Sequence, residues 1–297
     1  MDLAWLEDYL ALADALNFSR AAEARHVTQP AFSRRIRALE AWVGAPLFSR
    51  STHSVALTPA GVHFHAQALV LTRMLLQLQR DTRDVAARDA GHVSIAATHA
   101  LSFTFFPRWV RSNDKVLALG NLNLISDSMQ ACERMMLRGD ARFLLCHTHP
   151  DMELPLGPAQ FTSMRVGTDA LVPLCAPDSH GAPRWWLQAG ARVRYLAYSA
   201  PSGLGRIIGT QHAATTADVV LDTVFTSHLA ATLLSMARAG DGVAWLPRTL
   251  AEDDIAAGRL VEAGPAELAL PVDIRLFRPV ARLNRAAEAV WEAFRPR

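Results

Sequence analysis

The sequence predicts a mixed α/β chain with three parts: a small helical N-terminal domain, a long helix, and a larger C-terminal part in which strands and helices alternate. Three observations predict this order. Apolar residues recur at helical spacing in the first segment, a seven-residue apolar repeat follows, and strand-like runs alternate with helical runs after Gly91. Because such alternation is typical of parallel sheets, the C-terminal part is expected to be α/β.

Composition limits the class of protein. The chain has 297 residues, of which 51% are hydrophobic and 20% charged, enough for two or three cores. Its three cysteines (Cys132, Cys146 and Cys175) lie far apart, which excludes a disulfide scaffold and a cysteine zinc cage. No apolar run approaches the ~18–20 residues that span a bilayer, and the acidic N-terminal segment does not resemble a signal peptide. We therefore expect a cytoplasmic protein with no membrane partner.

Arginine is concentrated near the N-terminus of a chain whose total charge is almost balanced. Between residues 15 and 80 there are eight arginines and two acidic residues, a formal charge of +6, whereas the whole chain carries +2. A basic block in a neutral chain is typical of a module that binds a polyanion. A helical face exposed to solvent would give the same charge. The charge alone therefore does not distinguish it from a polyanion-binding module, and the order of helices and strands in the segment has to be considered.

The first helices are predicted in order from apolar spacing and capping residues. Leucines at helical spacing predict a helix that begins at Leu3, and Ser19 is expected to cap a short second helix. Thr28 is expected to cap a third helix over residues 29–43, with Pro30 in its first turn, where a missing N–H is tolerated. Two short helices joined by a tight turn describe a helix-turn-helix, whose second helix enters the major groove of DNA.

The side chains of the third predicted helix suit that role. The amide of Gln29 can pair with adenine and the guanidinium of Arg34 with guanine. Ser33, Arg37 and the helix N-terminus can bind phosphate. Two short strands around a polar turn follow over residues 46–61 and predict a wing, in which Arg50 is expected to hold the DNA backbone.

This segment resembles a known family. The string FSRAAEARHVTQPAFSRRIRALEAWVGAPLFSR, followed by LTPAG, is similar to the winged helix-turn-helix of LysR-type transcriptional regulators. The resemblance implies that the DNA contacts are made by Gln29, Pro30, Ser33, Arg34 and Arg50. His53 occupies the wing tip, where many members carry arginine, which implies weaker or pH-dependent anchoring at this point.

A long helix is predicted over residues 60–90. Phe64, Leu71, Leu78 and Val85 fall seven residues apart, a spacing that favours a seam between two helices. The alternative is that the stripe packs on its own domains. The resemblance implies that this helix forms a dimer and that the assembly is a dimer of dimers. A two-fold dimer would read the two halves of a pseudo-palindromic operator.

The elements after Gly91 are predicted from strand and helix patterns. Strands are expected at 92–97, 116–125, 143–146, 193–198, 219–226, 243–246 and 272–277, with a hairpin around 164–175. Helices are expected at 98–112, 127–138, 227–239 and 284–294, and two more begin at Gly203 and Pro247. Two α/β subdomains joined by crossover strands would leave a cleft lined by strand C-termini and helix N-termini.

This half resembles the effector-binding domain of the same family, which has the architecture of type II periplasmic binding proteins. The resemblance implies a DNA-binding domain over 1–59, a linker helix over 60–90 and a regulatory domain over 91–297. Within the regulatory domain it implies subdomain I over 91–162 and 268–297, and subdomain II over 163–267. The stretches SIAATHALSFTFFPRW, YSAPSGLGRIIG and GDGVAWLP resemble a hypochlorite-responsive subgroup most.

The resemblance also implies the positions that contact an effector, which are Thr98, Ala100, Leu101, Ser102, Cys146, His147, Ser199, Ser202, Gly203, Thr226 and Ser227. Hydroxyl residues at helix N-termini favour a small anion, whereas the apolar Ala100 and Leu101 favour a less polar effector. Oxidation of Met or Cys is the rival signal. Met135, Met136 and Met236 lie at apolar helical positions, for which packing in the core is the stronger explanation.

The predicted function is sequence-specific DNA binding by a transcription regulator. Its expected partners are an operator in double-stranded DNA, further copies of the chain, a small effector and RNA polymerase. The alternatives are a solute-binding protein, against which the basic N-terminal module argues, and an α/β enzyme. The sequence has no nucleophile elbow, P-loop or HExxH motif, so no catalytic residue is assigned. No metal site or cofactor is predicted, because the HxH pairs at 63–65 and 147–149 lack a third ligand.

Overall fold

The structure is a computed structural model that describes residues 2–50, 55–86, 92–112, 121–215 and 219–295. The chain divides into two compact units. The first comprises Met1–Ala86 with Leu137–Gly139, and the second comprises Ala87–Met136 with Asp140–Arg297. Among the described residues, none of the helices combines the length and the apolar character that crossing a membrane requires.

The first unit contains four helices and a two-stranded antiparallel sheet among its described residues. In chain order these are α1 (Leu3–Ala15), α2 (Phe18–Ala24), α3 (Gln29–Val43), β1 (Phe48–Arg50), β2 (Val55–Leu57) and α4 (Pro59–Ala86). The predicted cap of α2 is wrong. Asn17 takes this position, and its side-chain oxygen accepts hydrogen bonds from the backbone N–H groups of Ser19 and Arg20, both at 3.0 Å.

The core of the first unit is formed by the inner faces of α1 and α3 and by the start of β1. Its largest wholly buried side chains are Leu6, Tyr9, Leu12, Phe32, Ile36, Leu39 and Leu47. The Tyr9 hydroxyl donates a hydrogen bond of 2.7 Å to the backbone oxygen of Gly61, which ties α1 to the first turn of α4. Because α3 buries one face in this core, its other face is left to the surface.

The second unit alternates strands and helices, as predicted. Its elements are β3 (His92–Thr98), α5 (His99–Phe103), α6 (Phe106–Arg111), β4 (Asn121–Asp127), α7 (Met129–Arg138), β5 (Phe143–Thr148), β6 (Phe161–Cys175), β7 (Arg192–Tyr198), α8 (Gly203–Thr215), β8 (Val220–Ser227), α9 (Ala230–Ala239), β9 (Ala244–Pro247), α10 (Arg248–Ala256), β10 (Val261–Glu262), β11 (Leu270–Pro279) and α11 (Arg285–Phe294). The larger sheet has the order β10-β6-β11-β5-β3-β4, with β9 also paired to β6, and β7 pairs with β8 separately.

Two apolar cores form within this unit, and the long strand β6 contributes residues to both. The first core contains Ile95, Phe143 and Trp291, and the second contains Leu196 and Leu246. Strand β6 packs its early residues against the first core and its later residues in the second. Strand β11 pairs antiparallel with β6 along its whole length, with a bulge between Ile274 and Arg275.

Three predicted elements differ from the structure. The hairpin around 164–175 is wrong, because this segment is one continuous strand whose pairing partners β11, β9 and β10 all come from later in the chain. The helix over 98–112 is two helices, and Pro107 lies in the first turn of the second, where proline is tolerated. The strand placed at 116–125 begins at Asn121 and ends at Asp127, and residues 113–120 lie outside the described part.

Candidate nucleic-acid interface and effector cleft

Helix α3 carries the polar residues singled out for DNA contact on one face. Gln29, Arg34 and Arg37 are exposed, as is Pro30 in the first turn, and Ser33 is half-buried. The amide nitrogen of Gln29 donates a hydrogen bond of 3.2 Å to the Ser33 hydroxyl, which orients both side chains. The helix therefore presents an amide, a hydroxyl and two guanidinium groups at its N-terminal half.

Two other arginines of the basic block have a structural role instead. Arg25 Nε lies 2.8 Å from Asp8 Oδ1, and Arg35 Nη1 lies 3.3 Å from Asp8 Oδ2. The side chain of Asp8 is wholly buried in α1, so these contacts hold α2 and α3 against α1. Within the described residues, no acidic side chain pairs with Arg34 or Arg37. The positive charge of this segment that can face a polyanion is therefore smaller than the formal charge of +6.

The start of α3 retains uncapped backbone N–H groups. Thr28 occupies the N-cap position, as predicted, but its side chain makes no capping hydrogen bond, and Pro30 supplies no N–H. The preceding turn is closed by His26, whose φ of 54° lies in the left-handed region. A helix N-terminus with free N–H groups at an exposed corner suits a phosphate oxygen.

The wing is a short antiparallel pair next to this helix in sequence. Arg50 pairs with Val55 at the end of β1, and the Arg50 side chain lies outside what the structure describes. His53 also lies outside the described residues. Thr58 closes the motif: its hydroxyl donates to the backbone oxygen of Pro46 at 2.7 Å and accepts from the Gly61 N–H at 2.9 Å.

A small cavity of about 30 Å³ lies within the second unit, where strand ends meet helix N-termini. Strands β3, β4 and β5 are parallel, so their C-termini reach one edge of the larger sheet. The cavity is lined by Thr98, His99, Ala100, Asp127, Ser128, Met129, His147, Ser202, Gly203, Leu204, His228 and Ala230. Five predicted effector positions are among them: Thr98, Ala100, His147, Ser202 and Gly203.

The other predicted effector positions lie outside this lining. Leu101 is wholly buried in the first core. Cys146 is also wholly buried, and it points to the opposite face of β5 from its neighbour His147, because side chains alternate along a strand. The hydroxyl of Ser102 donates to the backbone oxygen of His99 at 2.7 Å. The remaining three, which the cavity does not include, are Ser199, Thr226 and Ser227.

Several lining residues are not among those predicted from the sequence. Asp127 is the last residue of β4, a strand predicted to end two residues earlier; Ser128 and Met129 follow it, and His228 follows β8. The rule that the ends of parallel strands share one edge would have found them had β4 been placed correctly. The strand boundary was thus the missing signal.

His147 and Asp169 form a buried polar group next to the cavity. His147 is 3% exposed, and its Nε2 lies 3.5 Å from Asp169 Oδ2 without the geometry of a hydrogen bond. Asp169 accepts hydrogen bonds from the Thr249 hydroxyl at 2.5 Å and from the Ala170 N–H at 2.7 Å. Burial alone would raise the pKa of Asp169, but these bonds and His147 hold it below its ordinary value. A carboxylate therefore persists beside the cavity.

A second pair of histidines faces the cavity from other elements. The ring centroids of His99 and His228 lie 5.8 Å apart, and His99 Nδ1 is 3.0 Å from the Ser126 hydroxyl. Burial lowers the pKa of His99, Asp127 opposes this effect, and His228 adds to it. The neutral form of His99 is thus favoured. The hydroxyl oxygen of Thr98 is buried and has no hydrogen-bond partner in the described part of the chain.

The three cysteines are free and buried. Burial raises the pKa of Cys132 to about 12 and that of Cys146 still further above its ordinary range. Because the thiolate is the form that reacts with oxidants, these thiols are poor targets at neutral pH. Among the methionines named from the sequence, Met136 is wholly buried, and Met135 and Met236 are half-buried.

Comparison with known proteins decides the family. Residues 3–62 match the model for bacterial regulatory helix-turn-helix proteins of the lysR family, and residues 86–297 match the model for the LysR substrate binding domain. The chain belongs to the LysR family. It is a DNA-binding transcriptional regulator with an effector-binding domain, not an enzyme or a solute-binding protein.

Full-length relatives support this assignment. This LysR protein is 33% identical to the HTH-type transcriptional regulator YjiE of Escherichia coli, covering 98% of this chain and 93% of the relative. It is 31% identical to full-length HypT of Salmonella typhimurium, a hypochlorite-specific LysR-type regulator, with a TM-score of 0.59 over 98% and 96% of the two chains. It is also 31% identical to Vibrio fischeri DarR, solved in complex with DNA, with a TM-score of 0.58 over 99% and 98%. As a LysR regulator, the chain binds operator DNA as an oligomer.

Proposed function

We propose that α3 of this LysR regulator enters the major groove of its operator, with Gln29, Ser33 and Arg34 reading bases. Arg37 and Arg50 would hold phosphates, together with the N-terminus of α3, while Pro30 shapes its first turn. The observation that carries this proposal is that Arg34 is exposed on the same face as the Gln29–Ser33 pair and has no acidic partner among the described residues. His53 would contribute a further contact from the wing.

The remaining organisation follows the boundaries implied by the sequence. The DNA-binding domain would cover 1–59, the linker helix 60–90 and the regulatory domain 91–297. Subdomain II would cover 163–267, and subdomain I the rest of the regulatory domain. Two separate apolar cores in the second unit support this division. We place the protein in the cytoplasm, where its DNA target is, as a dimer of dimers whose linker helices pair.

The cavity is the proposed site at which an effector binds or an oxidant reacts. Thr98, Ala100, His147, Ser202 and Gly203 would contact a small effector. An oxidant is the second candidate. Met129 lines the cavity, whereas the thiols of Cys132 and Cys146 are held in their unreactive protonated form. Met129 is therefore the proposed target of an oxidant that enters the cavity.

The test of the DNA interface is a gel shift of the full chain with its own upstream DNA, using Arg34→Ala. We expect binding to the operator to weaken by about 1–3 kcal/mol, roughly 5- to 150-fold, because a bidentate base contact is lost. Arg192→Ala is the matched control, since Arg192 is an exposed arginine of the second unit. It should leave the affinity unchanged.

The salt dependence separates base contacts from phosphate contacts. Arg37→Ala should weaken binding to all DNA sequences about equally. It should also reduce the slope of the logarithm of affinity against the logarithm of salt concentration by about one, because one phosphate contact is lost. If Arg34→Ala binds its operator as tightly as the unaltered chain does at every salt concentration, Arg34 does not read bases and the proposed orientation of α3 is wrong.

A further inference from the structure

Helix α8 contacts the elements of the larger sheet at three points along one of its faces. Gly203, Arg206 and Gln211 recur at helical spacing, so they lie on the same side of the helix. Their partners belong to α7 and to the turn after β5, and these are Met129, Glu133 and Asp151. Because α8 itself follows β7 of the smaller sheet, the three contacts join the two sides of the cleft.

The central contact is a bidentate ion pair. Nη1 and Nη2 of Arg206 donate hydrogen bonds of 2.6 and 2.8 Å to the two carboxylate oxygens of Glu133. The Glu133 side chain is 5% exposed, whereas that of Arg206 is 29% exposed. A buried carboxylate that loses its partner is strongly destabilised. Without Arg206, separation of the two sides would therefore be favoured, because Glu133 then returns to water.

The N-terminus of α8 approaches α7 so closely that glycine is required there. A Cβ added at Gly203 would lie 3.1 Å from Cβ of Met129 and 3.0 Å from its Cγ. In the same place, the backbone N–H of Gln130 donates a hydrogen bond of 3.4 Å to the backbone oxygen of Pro201. Met129 and Gly203 both line the cavity. Separating these two helix N-termini would therefore widen it.

The contact at the other end of α8 is the weakest of the three. The side-chain nitrogen of Gln211 donates a hydrogen bond of 2.8 Å to Asp151, whose side chain is 67% exposed. Water can replace such an exposed contact at little cost. The buried Glu133–Arg206 pair and the Met129–Gly203 contact therefore contribute most to holding the two sides together.

We infer that the Glu133–Arg206 pair and the Met129–Gly203 contact form a latch, which holds α8 against α7 and whose release opens the cleft. A ligand that fits only the widened cavity would hold the latch open, since it binds the open form better than the closed one. This regulatory meaning rests on the proposed role of the cavity as the effector site. The opening itself does not, and it can be measured without a ligand.

The thiol of Cys146 is a built-in reporter of this opening. Cys146 is wholly buried on the face of β5 opposite Phe143 and Leu145, which pack in the first core. Helix α8 packs against β5. Burial raises the pKa of Cys146, and Glu133 and Arg206 shift this pKa in opposite directions, so both lie near the thiol. Release of the latch would therefore uncover Cys146.

Cys175 is the reference thiol in the same chain. It is wholly buried near the end of β6, where it contacts the backbone oxygen of Trp185 at 3.6 Å. Release of the latch leaves this surrounding intact, whereas unfolding of the second unit uncovers both thiols. The two routes also differ in their response to urea, because the slope against urea grows with the surface exposed.

The experiment labels the full chain with N-ethylmaleimide at neutral pH in low concentrations of urea. Peptide mass spectrometry gives the rate at each cysteine. In the unaltered chain we expect Cys146 to react faster than Cys175 and to depend less on urea. Arg206→Gln should speed the reaction of Cys146 at least about tenfold, because the closed form loses its buried ion pair. Arg192→Gln, which breaks an exposed pair with Asp222, is the matched control and should leave this rate unchanged.

A cross-link tests the latch with its ion pair intact. In the double variant Met129→Cys with Gly203→Cys, the Cβ separation of 3.1 Å is close to the value of about 3.8 Å that is usual in disulfides. Oxidation of the two added thiols with diamide should slow the labelling of Cys146 at least about tenfold, because the latch can no longer open. The same variant kept reduced is the control for the substitutions themselves.

Three results would overturn the inference: a urea dependence at Cys146 as steep as that at Cys175, an unchanged Cys146 rate in Arg206→Gln, or an unchanged Cys146 rate after cross-linking. The first measurement needs no variant, so a variant that fails to fold leaves the test intact. A gel shift with operator DNA is run in parallel. If the shift persists while Cys146 behaves like Cys175, the latch inference falls and the DNA-binding function stands.

Discussion

Two buried or half-buried carboxylates, those of Asp8 and Glu40, hold helix α3 in place. Asp8 is wholly buried and lies within reach of both Arg25 and Arg35, so one carboxylate joins three helices. Glu40 acts similarly at the other end of α3, where its Oε1 accepts from the backbone N–H groups of Leu47 and Phe48 at 3.0 and 3.1 Å. Such polar contacts fix the orientation of α3, because each unpaired alternative would leave a buried polar group unsatisfied.

A side chain at Gly61, in the first turn of α4, would collide with the backbone. A Cβ added there would lie 2.1 Å from the backbone oxygen of Leu47, which cannot move without disturbing β1. We expect Gly61→Ala to lower the free energy of unfolding by about 1–3 kcal/mol, as overpacking does. Urea unfolding of the full chain would measure the loss.

Gly209→Ala is the control for this prediction. Gly209 lies inside α8 with open space around its added Cβ, so alanine should stabilise the protein by up to about 1 kcal/mol through helix propensity. Equal effects of the two alanines would show that the contact with Leu47 carries no energetic weight.

At the scale of elements, the apolar stripe of α4 divides between two environments. Phe64, its first member, packs against the core of its own unit, whereas Leu71 and Leu78 are 41% and 64% exposed. Met74 and Leu75 lie on the same stretch and are 61% and 41% exposed. Packing this stripe against α4 of a second copy would remove these apolar side chains from water, as the seven-residue spacing predicts.

Leu78→Asp tests the proposed helix seam. We expect it to convert dimers to monomers in sedimentation experiments, because a charge replaces an apolar contact between the two helices. Operator binding should weaken at least tenfold, because the two DNA-binding domains would no longer be joined when they bind the two half-sites. Gln79→Asp introduces the same charge at the adjacent exposed position and should change neither property. An unaltered sedimentation coefficient for Leu78→Asp would argue that α4 does not form the interface.

Element boundaries were predicted best where local signals are strong. Helix α3 begins and ends as expected, with Gly44 in the left-handed conformation after its last turn. Strand β6 was mistaken for a hairpin, because its apolar residues give no indication that every pairing partner lies later in the chain. Pairing between distant segments is not encoded in local periodicity.

At the scale of the whole molecule, one ion pair links elements on different sheets of the second unit. Arg206 on α8, which follows β7, donates two hydrogen bonds to Glu133 on α7, which follows β4. The Glu133 side chain is 5% exposed, and the paired carboxylate raises the pKa of Arg206. This pair joins the two sides of the cleft next to its cavity.

A double-mutant cycle tests the energetic weight of this pair. We expect Arg206→Gln to lower the free energy of unfolding by about 3–5 kcal/mol, because it leaves the buried carboxylate of Glu133 unpaired. Glu133→Gln should cost less, because the Arg206 side chain is 29% exposed to solvent. The double variant should lose less than the sum. The exposed pair Arg192–Asp222 is the control, and its removal should cost under about 1 kcal/mol. Strict additivity in the Glu133–Arg206 cycle would contradict a coupled pair.

The sequence by itself determined the family, the α/β class and the helix face that carries Gln29 and Arg34. These depend on capping residues, apolar spacing and local motifs, which neighbouring positions express. Only the tertiary structure decided that Asp8 forms ion pairs with Arg25 and Arg35. It also decided that Asp127, His228 and His147 line one cavity. The physical reason is that these contacts join residues far apart along the chain, so their distances follow from sheet order and packing rather than from sequence spacing.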